Sequence, residues 1–398
     1  MFTPNAFAAA PVRLSKAHLA ASSGDPRGAF GWAEAIISTS GSANAATGPA
    51  GDADQVEVAR LLAEATGADI ARTLLLSTGI IGTRLPLDKV EAGLAALVPT
   101  LAATDDGLEA AAIALCTTDS RTKTVTTTTT LPDADGRPVT VRVSGIAKGV
   151  GMIHPRMATM LAIVLTDAAA DPETLWGLLR PAAARTWDQL SVDGDTSTND
   201  TVFVLASGAS GAAKVEPGTP AATVLGAAIE AVARDLARQQ AADGEGASTL
   251  ITATVSGARD DADARAVARA VISSSLVKAA AHGRDPNWGR VAGAAGNARL
   301  ADAAVLEAAG LSATEATTRA GTPVRLEPDR LRIAIAGHLV FDGASGGPVV
   351  FDRAAARAAM DAPELVVALD LGLGDGSGEA FGCDLTETYV TENSEYTT

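Results

Sequence analysis

Between residues 33 and 98 the chain twice runs from a short apolar segment into a helix-patterned one, and this alternation restricts the fold more than any other feature. "AEAIISTSGSANAATG" reads as a buried strand entering a small-residue loop. "DADQVEVARLLAEATG" follows as an amphipathic helix, with acidic residues at its start and Gly67 as its stop. "ARTLLLSTGIIG" is a second strand ending in a glycine turn, and "LPLDKVEAGLAALV" opens the next helix with Pro86 and Asp88 in its first turn. Further along, "GLEAAAIALCTTDS" reads as a helix ending in a Thr/Asp turn. "KTVTTTTTLPDADGRPVTVRVSGIAKG" reads as a hairpin whose threonines favour strand and whose "DADG" supplies the turn. "TVFVLASG" and "TLITATVSGA" are strands, and "DDADARAVARAVISSSLVKAAA" reads as one helix with acids first and Lys278 last. The class is mixed α/β.

At 398 residues the chain is long enough for one large α/β unit or two domains. A connection at "AADGEG", residues 241–246, separates a long helix from the next strand, but it does not fix a domain boundary. Aromatic residues are only 3% of the chain, so the core must be built from Ala, Val, Leu and Ile. A formal net charge of −16 argues against nucleic acid or an anionic membrane as partner, because both select basic surfaces. It leaves room for local basic pockets that take small carboxylates. Cys116 and Cys383 offer neither a disulfide framework nor a metal signature. The first residues lack a signal-peptide pattern, and no long apolar run marks a membrane span. A cytoplasmic protein without bound metal is expected.

The string "KGVGMIHPRMATMLAIVLTD", residues 148–167, begins as a glycine-rich basic loop and ends as a core strand. At the join stand Ala158 and Thr159. A threonine made N-terminal carries a hydroxyl nucleophile and, in its α-amine of reference pKa about 7.7–8.0, a base. Exposing that amine requires cutting the Ala158–Thr159 bond. The threonine hydroxyl can do this by attacking the preceding carbonyl, after which water cleaves the ester. Small Ala158, the "GVG" loop and Pro155 suit a strained turn. On these facts alone, a turn leading into an ordinary strand explains the string better.

The whole string "KGVGMIHPRMATML" closely resembles the signature of the glutamate N-acetyltransferase family of arginine biosynthesis, also called ornithine acetyltransferase. The resemblance runs nearly end to end. It implies self-cleavage between Ala158 and Thr159 into pieces 1–158 and 159–398 that share one core, with β-sheet layers flanked by helices. Thr159 is then the nucleophile and Lys148 a substrate-binding residue. "STGIIGTRLPLDKV" looks like the family's oxyanion-hole segment, which puts that role on Thr78 and Gly79. "ALCTTDS" resembles a substrate-contacting stretch and implies Thr117, with Thr118 left open. "GEGAS" implies Glu245 as a substrate-binding carboxylate, and the terminal "YVTENSEYTT" implies Asn393 and Thr398 as further substrate contacts. "SVDGDTSTNDTV" matches a family segment read here as a polar turn network supporting the site wall. "HGRDPNWGR" is another family hallmark, read as a structural Asp-Pro-Asn turn with Trp288 packed beneath it.

Two departures stand out. Family members commonly carry Thr-Lys where this chain has Ser248-Thr249, and an additional strand and loop normally precede the stretch "MFTPNAFAAAPVRLSK". Either the start is misassigned or that first strand is absent.

What the resemblance implies in full is ping-pong transfer of acetyl from N-acetylornithine to glutamate through an acetyl ester on Thr159, without bound cofactor, in an α2β2 assembly. Acetyl-CoA is a candidate co-substrate that the sequence leaves undecided. The rival reading is a self-cleaving aminopeptidase or amidase, in which water takes the place of glutamate.

Overall fold

The computed structural model describes residues 1–154 and 160–394, so Ala158, Thr159 and Thr398 lie outside the described residues. Among the described residues the chain divides into two compact units, 1–152 with 160–182 and 195–236, and 153–154 with 183–194 and 237–394. The cleavage expected after Ala158 does not follow this division. Each unit takes residues from both sides of the junction.

The first unit carries two sheets. Strands β1 (Ala35–Ser42) and β2 (Thr73–Ile80) pair in parallel, with Ser40 opposite Thr78 and Gly41 opposite Gly79. The second sheet contains β3 (Lys123–Pro132), β4 (Pro138–Lys148), β5 (Leu161–Thr166) and β7 (Thr201–Ala206), in the order β3-β4-β5-β7. The threonine tract forms β3, paired antiparallel to β4 around the turn at Asp133–Gly136, as its β-branched composition requires. Lys148 lies opposite Leu161 in the antiparallel β4–β5 pair, and β5 runs parallel to β7. Leu74 and Leu76 from β2, Ile146 from β4, Leu161 from β5 and Phe203 from β7 share one buried cluster with Leu115. Phe2 bridges antiparallel to Thr201, so the first residues of this chain lie along β7.

The second unit is built on β6 (Leu190–Ser191), β8 (Leu250–Ala258), β9 (Arg332–Ile335), β10 (His338–Asp342), β11 (Gly347–Pro348), β12 (Glu364–Asp370) and β13 (Gly376–Cys383). Their order is β11-β10-β9-β12-β8-β13-β6. The alternation of Ile251, Ala253 and Val255 on β8 sends those side chains into a core shared with Val267, Val271, Ile333 and Val367. Aliphatic residues dominate this core, as the scarcity of aromatics requires.

Two local expectations are corrected. The helix expected from Asp260 to Ala281 is two helices, Asp261–Ile272 and Ser275–His282. Ser274 caps the second by accepting from the Val277 N–H, so the serine cluster ends one helix and starts another. The helix expected to begin with acidic residues begins earlier, at Gly48, with Pro49 in its first turn. Asp54 therefore falls inside it, buried, with Arg84 donating to both of its oxygens at 2.7 and 2.5 Å.

Candidate active site

In the first unit two of the implied residues meet on buried ground. Thr78 and Lys148 are each only 3% exposed, and Lys148 Nζ donates to Thr78 Oγ1 across 3.1 Å. Gly79 follows with φ +123°, and a Cβ there would meet the Gly41 carbonyl carbon at 2.4 Å. Only glycine fits that backbone beside β1. Thr117 is exposed, and its backbone N–H donates to Asp119 Oδ2 at 3.1 Å. Asp119 Oδ1 accepts from Lys123 Nζ at 2.7 Å and from the Gly149 N–H at 2.9 Å. One carboxylate thus connects the Thr117 loop, the start of β3 and the turn after Lys148.

The residue following Thr159 is also held in this unit. The Met160 N–H donates to Asp200 Oδ1 at 3.0 Å, its carbonyl accepts from the Thr201 N–H at 3.0 Å, and its side chain is fully buried. The polar turn before β7 hydrogen-bonds to β2 and to the segment after β1. Asn199 Nδ2 donates to the carbonyls of Ala43 and Ser77, at 2.7 and 2.8 Å, which fixes the approach to Thr78.

Burial pushes the Lys148 ammonium below its ordinary pKa, since a charge in an apolar interior is poorly solvated, and the nearby Lys123 adds to the effect. Asp119 and Asp200 oppose it. Burial pushes the Asp119 carboxyl up, but Lys123, Lys148 and the Lys123 and Gly149 hydrogen bonds together hold it below the usual carboxylate range.

The second unit places Glu245 and Asn393 together, with Asn393 Nδ2 donating to Glu245 Oε2 at 2.9 Å. Asn393 lies on the helix Glu387–Ser394. Gly246, at φ +65°, would drive a Cβ to 2.5 Å from the Tyr389 nitrogen, so glycine is required where the Glu245 turn meets that helix. Thr386 Oγ1 donates to the Gly246 carbonyl at 2.7 Å.

Asp384 holds the same turn from its other end. It accepts from the N–H groups of Ser248 and Thr249, from Ser248 Oγ at 2.6 Å, and lies 3.2 Å from His282 Nδ1. His282 Nε2 is 3.0 Å from Glu387 Oε2 at the start of the terminal helix. The "HGRDPNWGR" segment therefore does more than turn the chain. Asn287 caps the helix Trp288–Gly296, and Trp288 stacks on Phe341 with centroids 5.0 Å apart. In this unit Ile153, before the junction, accepts from the Val192 N–H at 2.6 Å and donates to Asp193 Oδ1 at 2.8 Å.

Sequence reasoning missed Asp119, Lys123, Asp200 and Asp384 as members of these networks. Asp119 and Asp200 stand inside segments quoted for other reasons. No composition signal separates a carboxylate that will be buried from one that will not. No group of three or more His, Cys, Asp or Glu among the described residues is placed to hold a metal ion. None of the described helices is long and apolar enough to cross a membrane.

Layered sheets with these buried polar clusters define an α/β enzyme acting on small molecules. The chain belongs to the ArgJ family, whose family model matches residues 1–398. It is 43% identical to the arginine biosynthesis bifunctional protein ArgJ of Synechocystis, over 92% of this chain and 83% of the relative. It is 42% identical to the protein of that name from Thermosynechococcus vestitus, over 100% and 89% respectively. Among solved structures it resembles the arginine biosynthesis bifunctional protein ArgJ of Bacillus halodurans, at 34% identity and TM-score 0.50, covering 58% of this chain and 97% of that one.

Proposed function

We infer that this chain is an arginine-biosynthesis acetyltransferase that moves acetyl from N-acetylornithine to glutamate. The observation carrying the reading is the meeting of Lys148 with Thr78, at the end of β4 that faces Leu161 across the β4–β5 pair. Leu161 stands two residues after Thr159. The described neighbours of the junction therefore start a core strand beside the buried Lys148 and the implied oxyanion donor.

Thr159 is the proposed nucleophile, freed by cleavage after Ala158. Its hydroxyl attacks the acetyl carbonyl while its own amine takes the proton. Thr78 and the Gly79 turn stabilise the oxyanion. The amide C–N bond then breaks, the proton passes to the departing nitrogen, and ornithine leaves an acetyl ester on Thr159. The glutamate amine attacks that ester, the C–O bond breaks, and N-acetylglutamate departs with the threonine hydroxyl restored. Lys148 suits a substrate carboxylate, and Glu245 with Asn393 suits an amino group. Thr117 and Thr398 are proposed as further contacts from the resemblance alone. No bound cofactor enters this scheme, and acetyl-CoA remains a candidate second donor.

Continued association of the two pieces is part of the proposal. The antiparallel pairing of β4 with β5, from Val143 opposite Thr166 to Lys148 opposite Leu161, joins them across the cut. The α2β2 assembly and a cytoplasmic location belong to the same reading. Incubating the purified protein with N-acetylornithine and glutamate tests it. N-acetylglutamate should form in step with ornithine. Release of acetate at a rate indifferent to glutamate would instead favour the amidase reading.

A further inference from the structure

We propose that His282 is a positioning residue whose ring, protonated on both nitrogens, clamps the start of the terminal helix and so holds Asn393 against Glu245 for substrate binding. The proposal rests on the reading of Glu245 and Asn393 as substrate contacts.

His282 ends the helix Ser275–His282, and its ring stands between two carboxylates. Nδ1 lies 3.2 Å from Asp384 Oδ2, and Nε2 lies 3.0 Å from Glu387 Oε2. A neutral imidazole carries one N–H and one lone pair, and a lone pair turned toward an ionised carboxylate is repelled. Only the imidazolium donates to both. Asp384 is the fixed end of this bridge. Its side chain is fully buried, its Oδ1 accepts from the N–H groups of Ser248 and Thr249 at 2.8 and 3.0 Å, and its Oδ2 accepts from Ser248 Oγ. Glu387 is the movable end, with its side chain 90% exposed at the first position of the helix Glu387–Ser394. Asn393 stands six positions further along that helix, about 9 Å along its axis. A change of direction at Glu387 therefore moves Asn393 away from Glu245.

Among the described residues the titratable groups in contact with the ring are Asp384 and Glu387. Lys278, one turn earlier on the same helix, turns its Nζ to the carbonyls of Ser191 and Cys383, and Arg284, two residues on, pairs with Asp361. As pH rises and the ring gives up one proton, Nδ1 keeps its N–H for the buried Asp384, and the contact with exposed Glu387 is the one lost. The helix is loosened rather than freed. Thr386 Oγ1 still donates to the Gly246 carbonyl at 2.7 Å and accepts from the Tyr389 N–H at 3.2 Å, and neither contact titrates.

The test is the pH dependence of KM for N-acetylornithine in processed enzyme, with hydrogen exchange of the backbone amides of residues 387–394 measured alongside. Ionisations of the substrate and of the rest of the protein are common to all variants and cancel in the ratio of variant to wild-type KM. In Glu387→Gln the amide accepts from the charged ring and donates to the neutral one. Its ratio should start above one and fall about fivefold between about pH 5.5 and about pH 8.5, ending below one. His282→Asn keeps a donor for Asp384 but does not reach Glu387, so its ratio should be about five at about pH 5.5 and approach one at about pH 8.5. Amide protection of the helix, corrected for intrinsic rates, should fall with pH in wild type and hold in Glu387→Gln. Glu387 is exposed, so its variant reads the clamp even if His282→Asn does not fold. Ratios indifferent to pH, or a Glu387→Gln that binds no tighter than wild type in alkali, overturn the proposal. Asn393→Ala separates it from the reading beneath it. If that variant raises KM while the other two ratios stay flat, only the His282 proposal falls. If its KM is unchanged, the substrate reading of Asn393 falls and the proposal with it.

Discussion

Lys148 donates through Nζ to Thr78 Oγ1 across 3.1 Å, and both side chains are buried. This contact ties the end of β4 to the end of β2, between residues 70 positions apart in sequence. If Thr78 is an oxyanion donor, Lys148 also orients its hydroxyl. Thr78→Ala should then lower kcat about a hundredfold with a smaller change in KM, the pattern of a contact made in the transition state. Steady-state kinetics of the processed variant checks this. A rise in KM alone would make Thr78 a binding residue.

Gly79 tests the backbone beside it. A methyl group there must displace Gly41 and adopt φ +123°, which L-residues rarely do. Gly79→Ala should cost about 2 kcal/mol of stability and reduce kcat as well, because the turn that carries Thr78 moves. Urea unfolding and kinetics on one preparation read both effects. Wild-type values in both would mean that the turn tolerates the change and has no catalytic geometry to protect.

Asp384 tests the second unit. Its fully buried carboxylate accepts two backbone N–H groups and a serine hydroxyl from the turn that carries Glu245. Asp384→Ala strands those donors and should destabilise the protein by about 3 kcal/mol, with raised KM for N-acetylornithine. A variant destabilised to that extent but with unchanged KM would limit Asp384 to a structural role.

Acid should weaken the fold through Asp119 and Asp260. Burial raises both carboxyls, but Lys123 and Lys148 at Asp119, and Arg319 at Asp260, hold each below its ordinary value. The stability from a carboxyl with a lowered folded pKa is fully present above its unfolded pKa of about 3.9 and is lost as pH falls through the folded value. Denaturant midpoints should therefore drop as pH falls below about 4, and Asp119→Asn should flatten part of that dependence. An equally steep acid limb in the variant would remove Asp119 from this account.

The sequence shows the strands well wherever apolar residues run together or alternate. "TLLLS" and "LITATV" are β2 and β8 because their side chains have no other way to leave water. The break at Ser273–Ser274 was less visible, since serine is tolerated inside helices and its capping role depends on which N–H it meets. The helix start at Gly48 was hidden for a related reason, as a glycine opening a helix resembles the loop before it. At the site, Thr78, Gly79, Lys148, Glu245 and Asn393 came from family resemblance rather than from pattern. The pairs Lys148–Thr78 and Glu245–Asn393 are 70 and 148 residues apart, and no local rule joins them. Asp119 and Asp384 were missed because their importance lies in the backbone N–H groups they meet after folding.

The central claim is that Thr159, freed from Ala158, carries the acetyl group. Intact-mass analysis under denaturing conditions, before and after brief exposure to N-acetylornithine without glutamate, tests it most directly. The account predicts two polypeptides, the larger beginning Thr-Met-Leu-Ala and gaining one acetyl group that glutamate removes. Thr159→Ala should remain a single chain that gains none. An active enzyme found as one unbroken polypeptide, or an acetyl group mapped to another residue, would contradict it.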